Sequence, residues 1–233
     1  MSRGPGRCVV GLACTVVGLG GLHRLSWRSG VTNEEAFGSL PGDDVIPHPM
    51  LEWTRGITIR RKPALVWPWL VQMGYHRGGW YTNEWVDRVI WRVDARNVDR
   101  ILAEYQSLSV GDVVPDGPDY AAYFWVRAIE PERTIVYSSI RHPYRGHPID
   151  PGNHEDLLRL EKRLVEGGKY IDFSWTFVLQ PHGSQSTRLL LRTRANYAPK
   201  AVRAVSIPLG LLDVYFAHTI LRGVKRRAEA DHT

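Results

Sequence analysis

The sequence predicts an α+β domain in which a curved antiparallel sheet wraps around a long C-terminal helix, with two short helices after the first strand. Three observations lead there. Ile171, Phe173, Trp175, Phe177 and Leu179 alternate with Asp172, Ser174 and Thr176, the period-two pattern of a strand with one face on an apolar interior. The strand-like segments 111–114, 123–129, 133–139, 170–180 and 187–196 form one run, joined by turns at Glu130-Pro131-Glu132-Arg133 and Pro181-His182-Gly183. Finally, Leu209, Leu212, Phe216, Ile220 and Val224 recur at three- and four-residue spacing, and Arg222, Lys225, Arg226 and Arg227 cluster at the C-terminal end, where cations suit a helix dipole.

The elements before this run follow from local chemistry. Residues 29–52 read as an extended linker laid on the domain, with a turn at Leu40-Pro41-Gly42-Asp43-Asp44 and breakers at Pro47 and Pro49. The segment 53–59 is a strand with Ile57 and Ile59 on one face. Pro63 suits the first turn of a helix, and Pro68 inside that helix is expected to kink or divide it. Arg77-Gly78-Gly79 makes a tight connection. A second helix over 82–90 is capped by Thr82 or Asn83, with Trp85 and Val89 on its apolar face and Ile101 and Leu102 buried beyond it. Leu189, Leu191 and Thr193 oppose Arg188, Arg192 and Arg194, which read as a solvated face.

The chain has 233 residues with 30 Lys+Arg against 24 Asp+Glu, a net charge of +6. Four of those basic residues, Arg3, Arg7, Arg24 and Arg28, flank an uncharged run at 8–22, and the body behind them is nearly balanced. A charge excess placed there removes most of the case for a nucleic-acid partner, and none is expected. The run is shorter than the roughly 20 residues of a spanning helix. With its basic flanks, 1–28 reads as a secretory signal or membrane anchor. The expected location is therefore membrane-associated or exported, with a cytoplasmic protein as the alternative. Both cysteines, Cys8 and Cys14, lie inside this run, so the body holds no disulfide framework and no cysteine nucleophile.

No P-loop, dinucleotide fingerprint, HExxH or GxSxG motif occurs, so no cofactor is implied. His142, His147 and His154 have spacings that fit no zinc-ligand pattern, and no metal site is expected. His218 reads as a packing histidine. Asp172, Glu84 and Asp87 lack a recognisable acid/base partner, so no catalytic residue is assigned. The residues placed as a ligand-cavity wall are Phe124, Tyr137, Phe173, Trp175 and Phe216. Trp80 and Tyr81, after two glycines, are placed as a gate.

Several blocks are similar to one family. They are Leu40-Pro41-Gly42-Asp43-Asp44, the run 66–74 (VWPWLVQMG), Arg77-Gly78-Gly79-Trp80-Tyr81, Val110-Gly111-Asp112, and Phe124 with Val126. Thr187-Arg188-Leu189-Leu190 and the terminal segment 223–229 complete them. The chain from about residue 27 onward resembles the START-like (SRPBCC) helix-grip superfamily, in particular bacterial members near polyketide cyclase/dehydrase proteins. The resemblance implies a seven-stranded antiparallel sheet gripping the C-terminal helix around a hydrophobic cavity, with the domain at 53–233. The segment 141–168 is longer than the family pattern, and its charged helix is a possible lid. The implied function is binding of a hydrophobic small molecule, lipid or polyketide-like, in that cavity. A cyclase or dehydratase using the same cavity is the alternative, and the reaction is not implied because fold does not determine function. The oligomeric state is left open.

Overall fold

A computed structural model of the chain describes residues 28–91, 94, 96–118, 122–143, 145–147, 150, 152–199 and 206–230. Seven strands form one sheet: β1 (Arg28–Ser29), β2 (Leu51–Ile59), β3 (Val113–Pro115), β4 (Tyr123–Glu130), β5 (Thr134–Arg141), β6 (Tyr170–His182) and β7 (Ser186–Ala198). Their spatial order is β1-β2-β7-β6-β5-β4-β3. Every pair is antiparallel except β1–β2. Helices are α1 (Asn33–Phe37), α2 (Pro63–Val71), α3 (Glu84–Val86), α4 (His154–Glu166) and α5 (Ser206–Glu229). This is the helix-grip arrangement, with α5 held against one face of the sheet. A register shift between Val126 and Ala128 adds the local bend that curves the β4–β5 ribbon.

The inner face is apolar. Val114, Phe124, Val126, Ile135, Tyr137, Phe177, Leu179, Leu189 and Leu191 pack with Ala217, Ile220, Leu221 and Val224 of α5 and with Val66, Trp69 and Leu70 of α2. The C-terminal end of α5 is pinned beside β2, where Lys225 Nζ donates to Thr58 O (2.6 Å) and Glu229 accepts from the Arg60 backbone N–H (2.6 Å). Helix α2 runs unbroken through Pro68. Pro68 is the sixth of the nine residues, so it forfeits the one bond its own N–H would make to the Ala64 carbonyl, and only three residues of the helix follow it.

The outer face carries two covers, and each corrects an expectation. Residues 29–52, expected as an extended linker packed on the domain, do pack on it but carry structure of their own, above all α1, where Thr32 and Glu35 make a reciprocal capping box. The arginines of β7 hold this segment and are not solvated. Arg188 pairs with Glu35 (2.6 Å), Arg194 with Asp43 (3.0 Å) and Glu52 (3.1 Å). Arg192, 1% exposed, donates to Asp43 (2.8 Å) and to the carbonyls of Glu35, Ala36 and Gly38 at the end of α1. Alternation on one strand cannot reveal that another segment of the chain will cover its polar face.

The second cover is α4. The helix read as a lid packs on the outer face, with Leu157 against Tyr123 and Trp125. Glu161, buried there, accepts from Tyr123 Oη (3.0 Å) and Trp125 Nε1 (2.8 Å). It therefore lies across the sheet from α5. Asp172 sits under the same cover, pushed up to about 6 by burial and by the neighbouring Glu161 carboxylate, against the pull of Arg127. A carboxyl whose folded value exceeds its ordinary 3.8 favours the native state only when protonated. Asp172→Asn is thus expected to raise stability at pH 8 by on the order of 2 kcal/mol. The gain should shrink as pH falls through 6 and vanish below about 4. Urea melts at pH 4 and pH 8 measure the difference; an equal effect at both would contradict it.

Helix α3 also departs from expectation. Asn83 caps it, but the helix is short and runs into a π-helical turn at Asp87–Trp91. Trp85 and Val89 are both exposed, and Asp87 is buried instead, accepting from Thr82 Oγ1. Ile101 is likewise exposed. Among the described residues no helix is long and apolar enough to cross a membrane. The hydrophobic run at 8–22, with Cys8 and Cys14, lies outside them.

Candidate functional site

Strand registers set the site. Trp53, Thr193, Trp175 and Tyr137 form one row across the inner face of β2, β7, β6 and β5. Arg55, Leu191, Phe177 and Ile135 form the adjacent row. Above the first row comes Trp80, delivered by the connection after α2. That connection closes through a bridge between Gly74 and Gly79, with Gly79 at φ +82. A side chain at Gly79 would strike the Arg96 carbonyl and Asn97, so the RGG segment is a tight turn for steric reasons.

Five of the predicted aromatics come together here. Trp80 meets Phe124 (5.5 Å between centroids), Trp175 (5.7 Å) and Tyr137 (6.2 Å) edge-on. Phe124 stacks on Trp175 at 5.0 Å and meets Phe173 edge-on at 5.3 Å. Along β6 the inner residues grade from buried Phe177 and Leu179 to half-buried Trp175, Phe173 and Ile171. The aromatic wall is therefore reachable from the end where β6 begins. Arg141 borders that end, lying 5.0 Å over Phe124 and 4.6 Å over Phe173. Its guanidinium pairs with Asp116 (2.6 Å), whose carboxyl burial pushes up against the opposing pull of Arg141.

The wall carries polar atoms that its own packing does not satisfy. Trp80 Nε1, Tyr137 Oη and Trp53 Nε1 are buried with no hydrogen-bond partner among the described residues. A buried donor left so costs about 1–3 kcal/mol. Burial also drives the Tyr137 hydroxyl well above the ordinary phenol range, keeping it a neutral donor.

A second polar group faces the wall from α5. Asp213 Oδ2 lies 3.1 Å from Arg55 Nη2, and Thr193 Oγ1 donates to Asp213 Oδ1 at 3.2 Å. Burial pushes the Asp213 carboxyl up to about 6, against the stabilising charge of Arg55 and the Thr193 bond. The same burial, with help from Asp213, pushes Tyr197 up to about 12. Arg55 itself is 1% exposed. An ion pair in such a place survives because each partner would be costly alone.

The remaining expected residues stand elsewhere. Tyr81 is no gate: it is buried behind α5, donates to Trp69 O (3.0 Å), accepts from Gln72 Nε2 (3.0 Å) and lies under the Arg227 guanidinium. Phe216 is half-buried on α5, edge-on to Tyr215, three residues past Asp213 on the same helix face. His218 pairs with Ser29 Oγ (2.9 Å), and burial, Arg222 and Arg55 lower its pKa. Asp172 belongs to the outer face. Among the described residues no group of His, Cys, Asp or Glu is placed to hold a metal.

Trp53, Arg55, Thr193 and Asp213 were missed in the sequence, although two left a trace. Arg55 shares its strand phase with Ile57 and Ile59, and Asp213 falls between Leu209 and Phe216 in the apolar stripe of α5. A charge in each of two apolar faces signals a buried pair, but nothing in the sequence says that the two faces meet.

No family model and no curated protein matches the chain. Solved structures resemble it loosely. A hypothetical protein from Helicobacter pylori is 7% identical over 82% of this chain and 95% of that one, with a TM-score of 0.45. A protein from Mycobacterium smegmatis is 14% identical over 79% and 94%, with a TM-score of 0.42. Truncated norcoclaurine synthase from Thalictrum flavum is 14% identical over 73% and 91%, with a TM-score of 0.36. With so few identical positions, no residue role passes from them to this chain.

Proposed function

We propose that the chain is a START-like (SRPBCC) domain that binds a hydrophobic small molecule between the inner face of its sheet and α5. The observation that carries this is the half-buried wall of Phe173 and Trp175 beside the buried, unpartnered donors Trp80 Nε1 and Tyr137 Oη. Apolar walls with a few convergent polar groups are the usual make-up of small-molecule sites. Native mass spectrometry of the purified protein, with displacement of a fluorescent fatty acid, tests it. A bound compound or displacement is expected, and Trp175→Ala should weaken probe binding about tenfold, the loss of a large aromatic contact. An interior that takes up neither probe nor cellular compound would sink the reading.

A second reading, a cyclase or dehydratase, is favoured by Asp213, a carboxyl with a raised pKa facing the same wall. The two readings separate on the fate of the ligand. A bound compound recovered unchanged supports binding alone, and one that has lost water supports catalysis. Residues 1–28 are proposed as a secretory signal or a membrane anchor, and the uncharged run 8–22 between arginines supports the anchor. Full-length chain should then sediment with membranes while a chain starting at Arg28 stays in the supernatant; identical partitioning of the two would refute the anchor.

A further inference from the structure

We infer that the ligand of this interior is an uncharged, flat molecule with a hydrogen-bond acceptor at one end and a hydroxyl donor at the other, held between Tyr137 with Trp80 and Asp213. The inference rests on the binding function proposed above and adds the chemistry of what is bound. Tyr137 and Thr193, the residue that bonds Asp213, lie on one cross-strand row. Tyr137 on β5 and Thr193 on β7 flank Trp175 on β6, so they stand two strand spacings apart, about 10 Å. Asp213 is anchored on Thr193 by its 3.2 Å bond.

The poles have opposite demands. Trp80 Nε1 and Tyr137 Oη are buried donors without a partner among the described residues, so they call for an acceptor such as a ketone oxygen. Asp213 accepts from Thr193 on Oδ1, while its buried Oδ2 is in ion-pair contact with Arg55 but accepts no hydrogen bond among the described residues, which leaves it open to a hydroxyl. Between them lies the half-buried indole of Trp175, a surface for an aromatic ring. Charge argues for neutrality. Arg55 is matched by Asp213 and Arg141 by Asp116, and Arg77, whose charge reaches Tyr137, is turned to the carbonyls of Val71, Met73 and Tyr105, so a carboxylate entering this site meets cations that are already engaged. An ion buried without a counter-charge is costly.

The test uses the full chain and three probes: 4′-hydroxyflavone, flavone, which keeps the ketone and lacks the phenol, and oleate. Binding is read by quenching of tryptophan fluorescence and checked by calorimetry. 4′-Hydroxyflavone is expected to bind at least fivefold more tightly than flavone, and oleate more weakly than either. Tyr137→Phe, which removes one hydroxyl from a packed ring, should weaken both flavones about fivefold and leave oleate unchanged. Oleate binding as tightly as the flavones, or no preference for the phenol, overturns this inference while the binding function stands. Failure of all three probes to bind overturns the inference, and an interior also empty by native mass spectrometry overturns the binding function with it.

Discussion

Arg192→Ala is expected to destabilise the domain by about 3–5 kcal/mol, the range for removing one partner of a buried ion pair. The side chain is 1% exposed and satisfies Asp43, Thr54 Oγ1 and three carbonyls at the end of α1 at once. Without it those carbonyls stay buried and lose their donor, and the segment 28–47 loses its central fastening. For a domain of this size the loss corresponds to a fall in Tm of about 10 °C. Arg133, exposed and paired with Glu130 across a turn, is the control. Its replacement should change stability by under about 1 kcal/mol, since water already solvates both ions. Thermal melts of the two variants, with limited proteolysis of 38–47, give the comparison. A shift for Arg192→Ala as small as the control's would show that the strap is not held by this pair.

Gly223→Ala is expected to cost about 3 kcal/mol, toward the upper end of overpacking effects. Helix propensity alone predicts the opposite sign, a gain of roughly 1 kcal/mol for alanine over glycine. Close approach decides the matter: a Cβ at this position would lie 2.4 Å from Tyr81 Cβ and 2.5 Å from the Tyr81 carbonyl oxygen. Tyr81 has little room to yield. Its N–H donates to Asn97 Oδ1 (2.7 Å), its hydroxyl is fixed by Trp69 O and Gln72, and its φ is +59. The next residue back along the chain is Trp80, so displacement here also disturbs the aromatic wall. Gly117, with nothing near its would-be Cβ, should accept alanine without loss. Urea denaturation with tryptophan fluorescence reads both effects, and a neutral Gly223→Ala would mean that α5 can slide past the turn.

The aromatic inner face of the sheet was legible because a period-two strand states its own faces. Phe173, Trp175 and Phe177 had to share a face whatever lay opposite, and Phe124 and Tyr137 joined them through the antiparallel register. Tyr81 misled because a position after two glycines suggests a mobile turn, while its actual restraint comes from Gln72, Asn97 and Arg227, distant in sequence. Trp85 and Val89 misled because spacing within one helix says which residues share a side but not whether that side meets the core; both are exposed.

By itself the sequence determined the order of elements from β2 onward, the apolar face of β6 and the amphipathic character of α5, because these depend on spacing along one segment. The tertiary structure alone decided which polar faces are covered. It placed 28–47 over the arginines of β7, α4 over Tyr123 and Trp125, and Asp213 of α5 beside Arg55 of β2. Each of these is a meeting of two segments far apart in the chain, and the partner of a charge is set by which surfaces the fold brings together and closes to water.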